Sequence, residues 1–366
     1  MIREVEVLVI GGCPAVLCAA KAAADAGAHV LLLERDDTPG GQLVKQTHKF
    51  FGSERQYAGD RGIQIGAMLV EQICAHPNIE LMTEATVLGM YEDGIVTVLH
   101  DEKHLKFRPV KTIIATGAAE KFLTFPNNDL PGIYGAGAVQ TLMNVSGVKP
   151  ADNVVMVGAG NIGLIVSYQM LQAGVNVKCV VEAAPGIGGF LVHASKLRRA
   201  GVPIMTGWTV KEAYGDGKLE GVILCQLDEK WNQIPGTEVD CPCDTLCLAV
   251  GLTPLAELAW QAGCRCEFVR ELSGHVPIVD ENLMTTVEGI YCAGDVSGIE
   301  EASSAMVEGR LAGYAVAAAL GYDVENSEKE VEAAKAELVE LRSGPMGGKI
   351  RAGIAKVEQK RGEAVC

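Results

Sequence analysis

Aromatic side chains are scarce in this 366-residue chain, at 5%, and positive charge is in deficit: 31 lysines and arginines face 46 aspartates and glutamates, a formal net charge of −15. Few rings leave little surface for stacking on nucleobases, and the acidic balance repels a phosphate backbone, so nucleic acid is not an expected partner. Any phosphate-bearing ligand must be held by backbone amides and helix ends. Long apolar runs are missing as well. The longest are broken by Gly, Lys or Asp and fall short of a membrane span. No signal peptide is expected either: Met1-Ile2-Arg3-Glu4-Val5-Glu6 carries acids and runs straight into a strand pattern. The expected compartment is the cytoplasm, where the twelve cysteines are mostly free thiols. His29, His76, His100, His104, His193 and His275 are scattered without ligand spacing, so no metal site is expected.

What the chain does contain is apolar residues (48%, mean hydropathy +0.19) and 43 glycines, enough core for a two-domain α/β protein. Two glycine-rich turns organise it. Val154 to Val157 read as a buried strand entering Gly158-Ala159-Gly160-Asn161-Ile162-Gly163, a G-x-G-x-x-G turn that opens a helix, and a second strand from Val177 to Val181 ends in Glu182. The chain opens on the same plan: Val5 to Ile10, then Gly11-Gly12-Cys13-Pro14-Ala15-Val16, then Val30 to Leu33 ending in Glu34. Here Cys13 and Val16 replace the second and third glycines. In such turns the first glycine allows the sharp bend, the second lets amides approach a pyrophosphate, and the third lets the helix pack on the strand. The helix N-terminus then faces the phosphates, and the acid accepts from ribose hydroxyls. Cys13 is expected to stand beside the phosphate and Val16 to push the helix outward, so glycine at both positions is expected to tighten binding. Two such turns, each followed by an acid, imply two nucleotide sites.

The repeat runs further. Each copy closes on a strand ending in small residues, Thr112-Ile113-Ile114-Ala115-Thr116-Gly117 and Leu246-Cys247-Leu248-Ala249-Val250-Gly251. The distances from Gly11 to Gly117 and from Gly158 to Gly251, 106 and 93 positions, are similar enough to mark two related folds, one inserted into the other. Afterwards Val287 to Asp295 reads as a turn, a buried strand and a loop, and the Ala- and Gly-rich run from Glu300 to Leu320 has the length of a helix. Glu328 to Arg342 forms an amphipathic pattern through Val331, Ala334, Leu338 and Leu341. The break Ser343-Gly344-Pro345-Met346-Gly347-Gly348 ends it, and a basic segment follows.

With these elements the chain resembles the two-dinucleotide-binding-domain flavoproteins, the pyridine nucleotide-disulfide oxidoreductase superfamily that includes thioredoxin reductase. The resemblance rests on the N-terminal turn with Glu34, Gly40-Gly41-Gln42-Leu43, Ala115-Thr116-Gly117, the turn at Gly158 and Ala293-Gly294-Asp295, and covers roughly residues 5 to 320. Within it, Leu130 to Ala138, Val276 to Asp280 and Gly298 to Gly309 are similar to FAD-binding alpha subunits of heteromeric sarcosine, opine, proline and hydrogen cyanide synthase-type dehydrogenases. The resemblance implies an α/β fold of two Rossmann-like, three-layer ββα domains, with the NAD domain (123–251) inserted into the FAD domain (1–122 and 252–325), plus a short C-terminal helical tail (326–366).

By position, the resemblance implies cofactor contacts, for FAD and NAD(H), at Gly11, Gly12, Cys13, Pro14, Ala15, Glu34, Arg35, Gly41, Gln42, Val87, Ala115, Thr116, Gly117, Gly158, Gly160, Asn161, Ile162, Glu182, Gly251, Gly294, Asp295 and Ala302. Gly294 and Asp295 would face the ribityl and pyrophosphate region. The thioredoxin reductases relay electrons through a C-x-x-C pair, and this chain has none; Cys241-Pro242-Cys243 and Cys264-Arg265-Cys266 are C-x-C pairs, which close with difficulty. Their spacing, with Cys247, fits no ferredoxin pattern. They are expected to be structural, with Cys247 and Cys292 buried in strands and the others partly exposed. His48 and Lys49, after the Gly41 turn, are candidate catalytic groups at the flavin edge; equally they read as a solvated surface loop anchored by Phe50 and Phe51.

Glu182 repels a 2′-phosphate and no arginine follows before Arg198, so NAD(H) is expected over NADP(H). The expected function is an FAD-dependent oxidoreductase subunit moving electrons between NAD(H), FAD and either a second oxidoreductase subunit, a small amine or hydroxy-acid substrate or an electron carrier. The tail is expected to contact the partner. A stand-alone NADH-dependent reductase and a non-catalytic nucleotide-binding scaffold remain open.

Overall fold

The structure is a computed structural model that describes residues 1–50, 53–344 and 347–365. Phe51 of the loop near His48, and Pro345 and Met346 of the tail break, lie outside the described residues. The chain divides into two compact units, one running to Ala119 and resuming at Leu252, the other spanning Glu120–Gly251.

In the first unit, parallel strands stand in the order Ile79–Met82, Val30–Leu33, Ile2–Ile10, Lys103–Ile114, with Ile290–Cys292 also parallel to the last. The first strand begins earlier than the apolar pattern suggests, because Ile2 to Val5 pair with Lys106 to Pro109. An antiparallel hairpin, Thr86–Met90 with Val96–His100, continues the sheet from the front half of Lys103–Ile114. Strands buried on both faces read as continuous apolar runs, which is why Val30–Leu33 is Val-Leu-Leu-Leu and fully buried. Helices Pro14–Asp25 and Ala302–Leu320 cover one face. They approach closely because Gly309 and Gly313 face helix Pro14–Asp25: a Cβ there would stand 2.0 Å from Ala15 O and 2.3 Å from Ala19 O.

The second unit repeats the order: Ile204–Thr206, Asn176–Glu182, Asn153–Val157, Thr245–Leu248, Ile133–Gly135, all parallel. An antiparallel meander, Trp208–Tyr214, Gly221–Gln226 and Val239–Pro242, packs beside it. In each unit the chain leaves the central strand for a helix next to the closing strand, the point where α/β sheets gather ligands.

The tail helix spans Val324–Leu341, one turn earlier than its pattern predicts, and a further helix covers Gly347–Val365. Val331, Ala334 and Leu338 are buried in the first unit's own core with Leu311, Ala315 and Ile65. The apolar stripe expected to meet a partner is thus used internally. A helix of that length is marginal alone, and its nearest apolar surface is the helix it follows. Cys247 and Cys292 are buried in strands; Cys243 and Cys264, expected to be partly exposed, are also buried, though outside strands, and pack into the apolar layers beside the sheets. Among the described residues every cysteine is a free thiol, no group of side chains has the arrangement of a metal site, and no helix is long and apolar enough to cross a membrane.

Candidate functional site

The two glycine turns follow the same backbone path. Gly11 and Gly158 take φ of +117° and +103°, and a Cβ on either would stand 2.6 or 2.2 Å from the carbonyl of Ala115 or Ala249. Only glycine serves there. The next requirement is different in kind. Cys13 caps its helix at φ −71°, ψ 171°, and Gly160 caps the second at φ −73°, ψ 178°. That is extended backbone open to any residue, so Cys13 costs the turn nothing in conformation. Its thiol donates to Ala115 O at 3.4 Å, and burial pushes it up to about 11, so it is a neutral packing group. Pro14 starts the helix with its φ already set, followed by buried Ala15.

The third position differs between the units. A Cβ at Gly163 would lie 2.0 Å from Gly158 O, whereas Val16 is fully buried and its Cγ2 sits 3.1 Å from where a Gly11 Cβ would be. The first helix therefore stands far enough from its strand to house a valine.

Each acid after the second strand turns back onto its own glycine turn. Glu182 accepts from Ala159 N at 2.7 Å and from Ala184 N at 3.0 Å. Glu34 accepts from Asp36 N at 2.8 Å, and a Cβ on Gly12 would fall 1.9 Å from its Oε2. Glu34 is 5% exposed, and burial raises its pKa. Arg35, next to it, points to solvent and meets Asp36 at 3.7 Å. Ala85 N donates to Glu34 O, which brings the start of the Val87 strand alongside.

A loop then folds over each turn. Gly40 N donates to Gly12 O at 2.7 Å, and Gly188 N and Gly189 N donate to Ala159 O at 3.1 and 2.9 Å. Gly41 has positive φ, and its Cβ would lie 2.8 Å from Cys13 Cα; Gln42 beside it is exposed. Asn161 accepts from Phe190 N at 2.8 Å, while Ile162 stays 40% exposed. The sequence repeats here as well: five residues separate Glu34 from Gly40-Gly41-x-Leu and Glu182 from Gly188-Gly189-x-Leu.

Closing the first unit's site, Thr116 Oγ1 donates to Leu255 O at 2.7 Å and Gly117 O accepts from Leu255 N. Gly251 ends the second unit's closing segment at φ +111°. Gly294, at φ +77°, leaves only 2.9 Å between a Cβ and the Ala15 methyl, so the Gly294-Asp295 loop lies against the start of the first helix. Burial lifts Asp295 to about 6. Ala302 begins the helix that runs to Leu320, with Glu301 at its N-cap position. His48 is half-buried and stacks on Phe50 at 6.0 Å, and exposed Lys49 pairs through its backbone with Arg61 in a single antiparallel bridge, both on the loop before helix Gly62–Ala75.

Three residues at this site carry no motif signal. Gly294 N donates to Glu308 Oε2 at 2.8 Å. Arg342 donates to Glu308 Oε1 at 2.5 Å and in a fork to Glu300 at 3.0 and 2.6 Å. Burial lifts Glu308 to about 7, with Arg342 pulling the other way. The only trace in the sequence is a lone glutamate, Glu308, within the small-residue run of Ala302–Leu320; the arginine of that run, Arg310, pairs with Glu337, and Arg342 lies at the end of the next helix.

Two parallel-sheet units with glycine turns at their switch points define a dinucleotide-binding oxidoreductase fold. The chain belongs to the pyridine nucleotide-disulphide oxidoreductase family, whose model matches residues 5–309. It is similar to one of the subunits of opine oxidase from Agrobacterium tumefaciens (strain Ach5), 31% identical over 335 residues covering 86% of this chain and 66% of that protein. The alpha subunit of sarcosine oxidase from Corynebacterium sp. (strain P-1) is 30% identical over 335 residues, covering 87% of this chain and 33% of that protein. The chain thus spans about two thirds of the one relative and a third of the other. Its fold matches that of T. acidophilum thioredoxin reductase with a TM-score of 0.71 at 21% identity, over 87% of this chain and 99% of that one.

Proposed function

We propose that the chain is the nucleotide-binding subunit of a flavin-dependent oxidoreductase, with FAD in the first unit and NAD(H) in the second, passing electrons to a second subunit or a small substrate. The observation that carries this reading is the common backbone path at Cys13 and Gly160. The altered first turn keeps the geometry of an intact one. The residues present fit FAD: Glu34 and Cys13 pack so closely on Gly12 and Gly41 that only glycine fits at either, which keeps the turn's backbone bare, and Gly294 brings the loop of Asp295 against the helix start. FAD would supply the two-electron acceptor. This chain's residues would hold its phosphates by the amides after Cys13, its adenosine ribose by Glu34 and its ribityl hydroxyls by Asp295. In the second unit Glu182 would accept from the adenine ribose of NAD(H) and repel a 2′-phosphate. The relatives named as subunits support a partner, while the stripe of Val331, Ala334 and Leu338 on the tail is already buried in the first unit.

The test is the visible spectrum of the purified chain, identification of the heat-released cofactor, and anaerobic titration with NADH and NADPH. Bound FAD, reduced more efficiently by NADH, is the expected result. A colourless folded protein overturns the flavin reading and favours a scaffold; equal use of NADPH overturns the cofactor preference. Substrate-dependent NADH oxidation by the isolated chain would replace the subunit reading with a stand-alone reductase.

A further inference from the structure

We infer that Arg342, on the tail, is a positioning residue for the flavin site, acting through Glu308 on Gly294 and Asp295; the inference rests on the flavin reading above. The tie consists of contacts within one unit. Arg342 grips Glu300 with two nitrogens at 3.0 and 2.6 Å and Glu308 with one at 2.5 Å. All three side chains are nearly buried, at 13, 11 and 10% exposure. The second oxygen of Glu308 takes the Gly294 amide at 2.8 Å. Gly294 in turn rests on Ala15, the second residue of the helix whose start faces the phosphates. The route from the tail to the glycine turn is therefore four groups long, and every link is a hydrogen bond or a close packing contact.

The charges explain why a guanidinium is needed. Glu300 and Glu308 converge on one buried place and oppose each other's charge, and Glu300 and Glu301 oppose that of Asp295 nearby. Arg310, on the same helix, is committed to Glu337 and does not serve them. Only a planar fork can bridge both carboxylates at once, which a lysine ammonium does not reproduce. Without the fork, two buried carboxylates face each other, and one must take up a proton or turn away. Either change loosens Glu308 from Gly294, and with it the loop that places Asp295.

The test compares Arg342→Met, Arg342→Lys and the double variant Arg342→Met/Glu308→Gln by FAD dissociation constant and by hydrogen exchange of the Gly294–Val296 amides without flavin. Arg342→Met is expected to weaken FAD at least tenfold and to speed Gly294 exchange, with Arg342→Lys in between. The double variant is expected to recover most of the affinity, because a neutral amide oxygen still accepts from Gly294 N without a counter-charge. A mere loss of tail packing would not be rescued in this way. FAD affinity within twofold of the parent in Arg342→Met, or a double variant no tighter than the single, overturns the inference. If Arg342→Met does not fold, Arg342→Lys with parental affinity and exchange overturns it. If the parent binds no flavin, the flavin reading itself fails, and unchanged Gly294 exchange in the variants overturns this inference separately.

Discussion

Repairing the first turn's motif should damage the protein. Val16→Gly restores the third fingerprint glycine, and fingerprint logic alone expects tighter packing and binding. In the structure Val16 is fully buried and fills the space above Gly11. Removing it forfeits about 1.5–3 kcal/mol of buried apolar side chain. Glycine in a helix interior adds a few tenths of a kcal/mol relative to valine, and the space left behind does not collapse fully. The expected loss is about 3 kcal/mol, read as a lower urea midpoint followed by circular dichroism. Cys13→Gly serves as the control. Its backbone already lies where glycine would, so only the weak thiol bond to Ala115 O and some packing are lost, about 1 kcal/mol or less. The opposite exchange, Gly163→Val, drives a Cβ to within 2.0 Å of a backbone oxygen and should cost at least 1–3 kcal/mol. If Val16→Gly unfolds within 0.5 kcal/mol of the parent or above it, the account of the first helix as a separately packed solution is wrong.

Gly309→Ala places a methyl 2.0 Å from Ala15 O, a backbone atom with no room to yield; the helix-propensity gain of about 1 kcal/mol should be outweighed, and a higher melting temperature would contradict the close-packing argument. Asp295 has its folded pKa raised to about 6, so its contribution favours folding below pH 4 and is lost as pH rises towards 6. Asp295→Asn should therefore gain stability over the parent across that window, on the order of 2 kcal/mol by denaturant titration at several pH values, and a constant difference would refute the burial argument. Glu182→Ala removes the acceptor of two turn amides and should weaken NADH binding roughly 10-fold or more, measured by fluorescence titration; unchanged affinity would detach Glu182 from the nucleotide.

The strands, the two turns and the acids that follow them were set by local rules: glycine where φ must be positive, apolar runs where a strand is covered on both faces, and a helix opening after each turn. Such features depend on neighbours a few residues away, and they were legible at Gly11, Gly158, Glu34 and Glu182. The weight of each substitution was not. Cys13 and Val16 looked alike as departures from one motif, yet one occupies an extended position that tolerates any residue and the other fills core space. That distinction depends on how far the helix stands from Ala115 and Gly11, a distance between segments remote in sequence. The tail was similar. Its apolar stripe was visible, but what covers it was decided by the turn at Asp323, which lays Val331, Ala334 and Leu338 on the preceding helix. Gln56 meets Glu337 across 281 positions, and Arg342 meets Glu308 across 34. No periodicity links such pairs, because buried charges choose partners by geometry and by the cost of being left unpaired, and tertiary packing alone determines both.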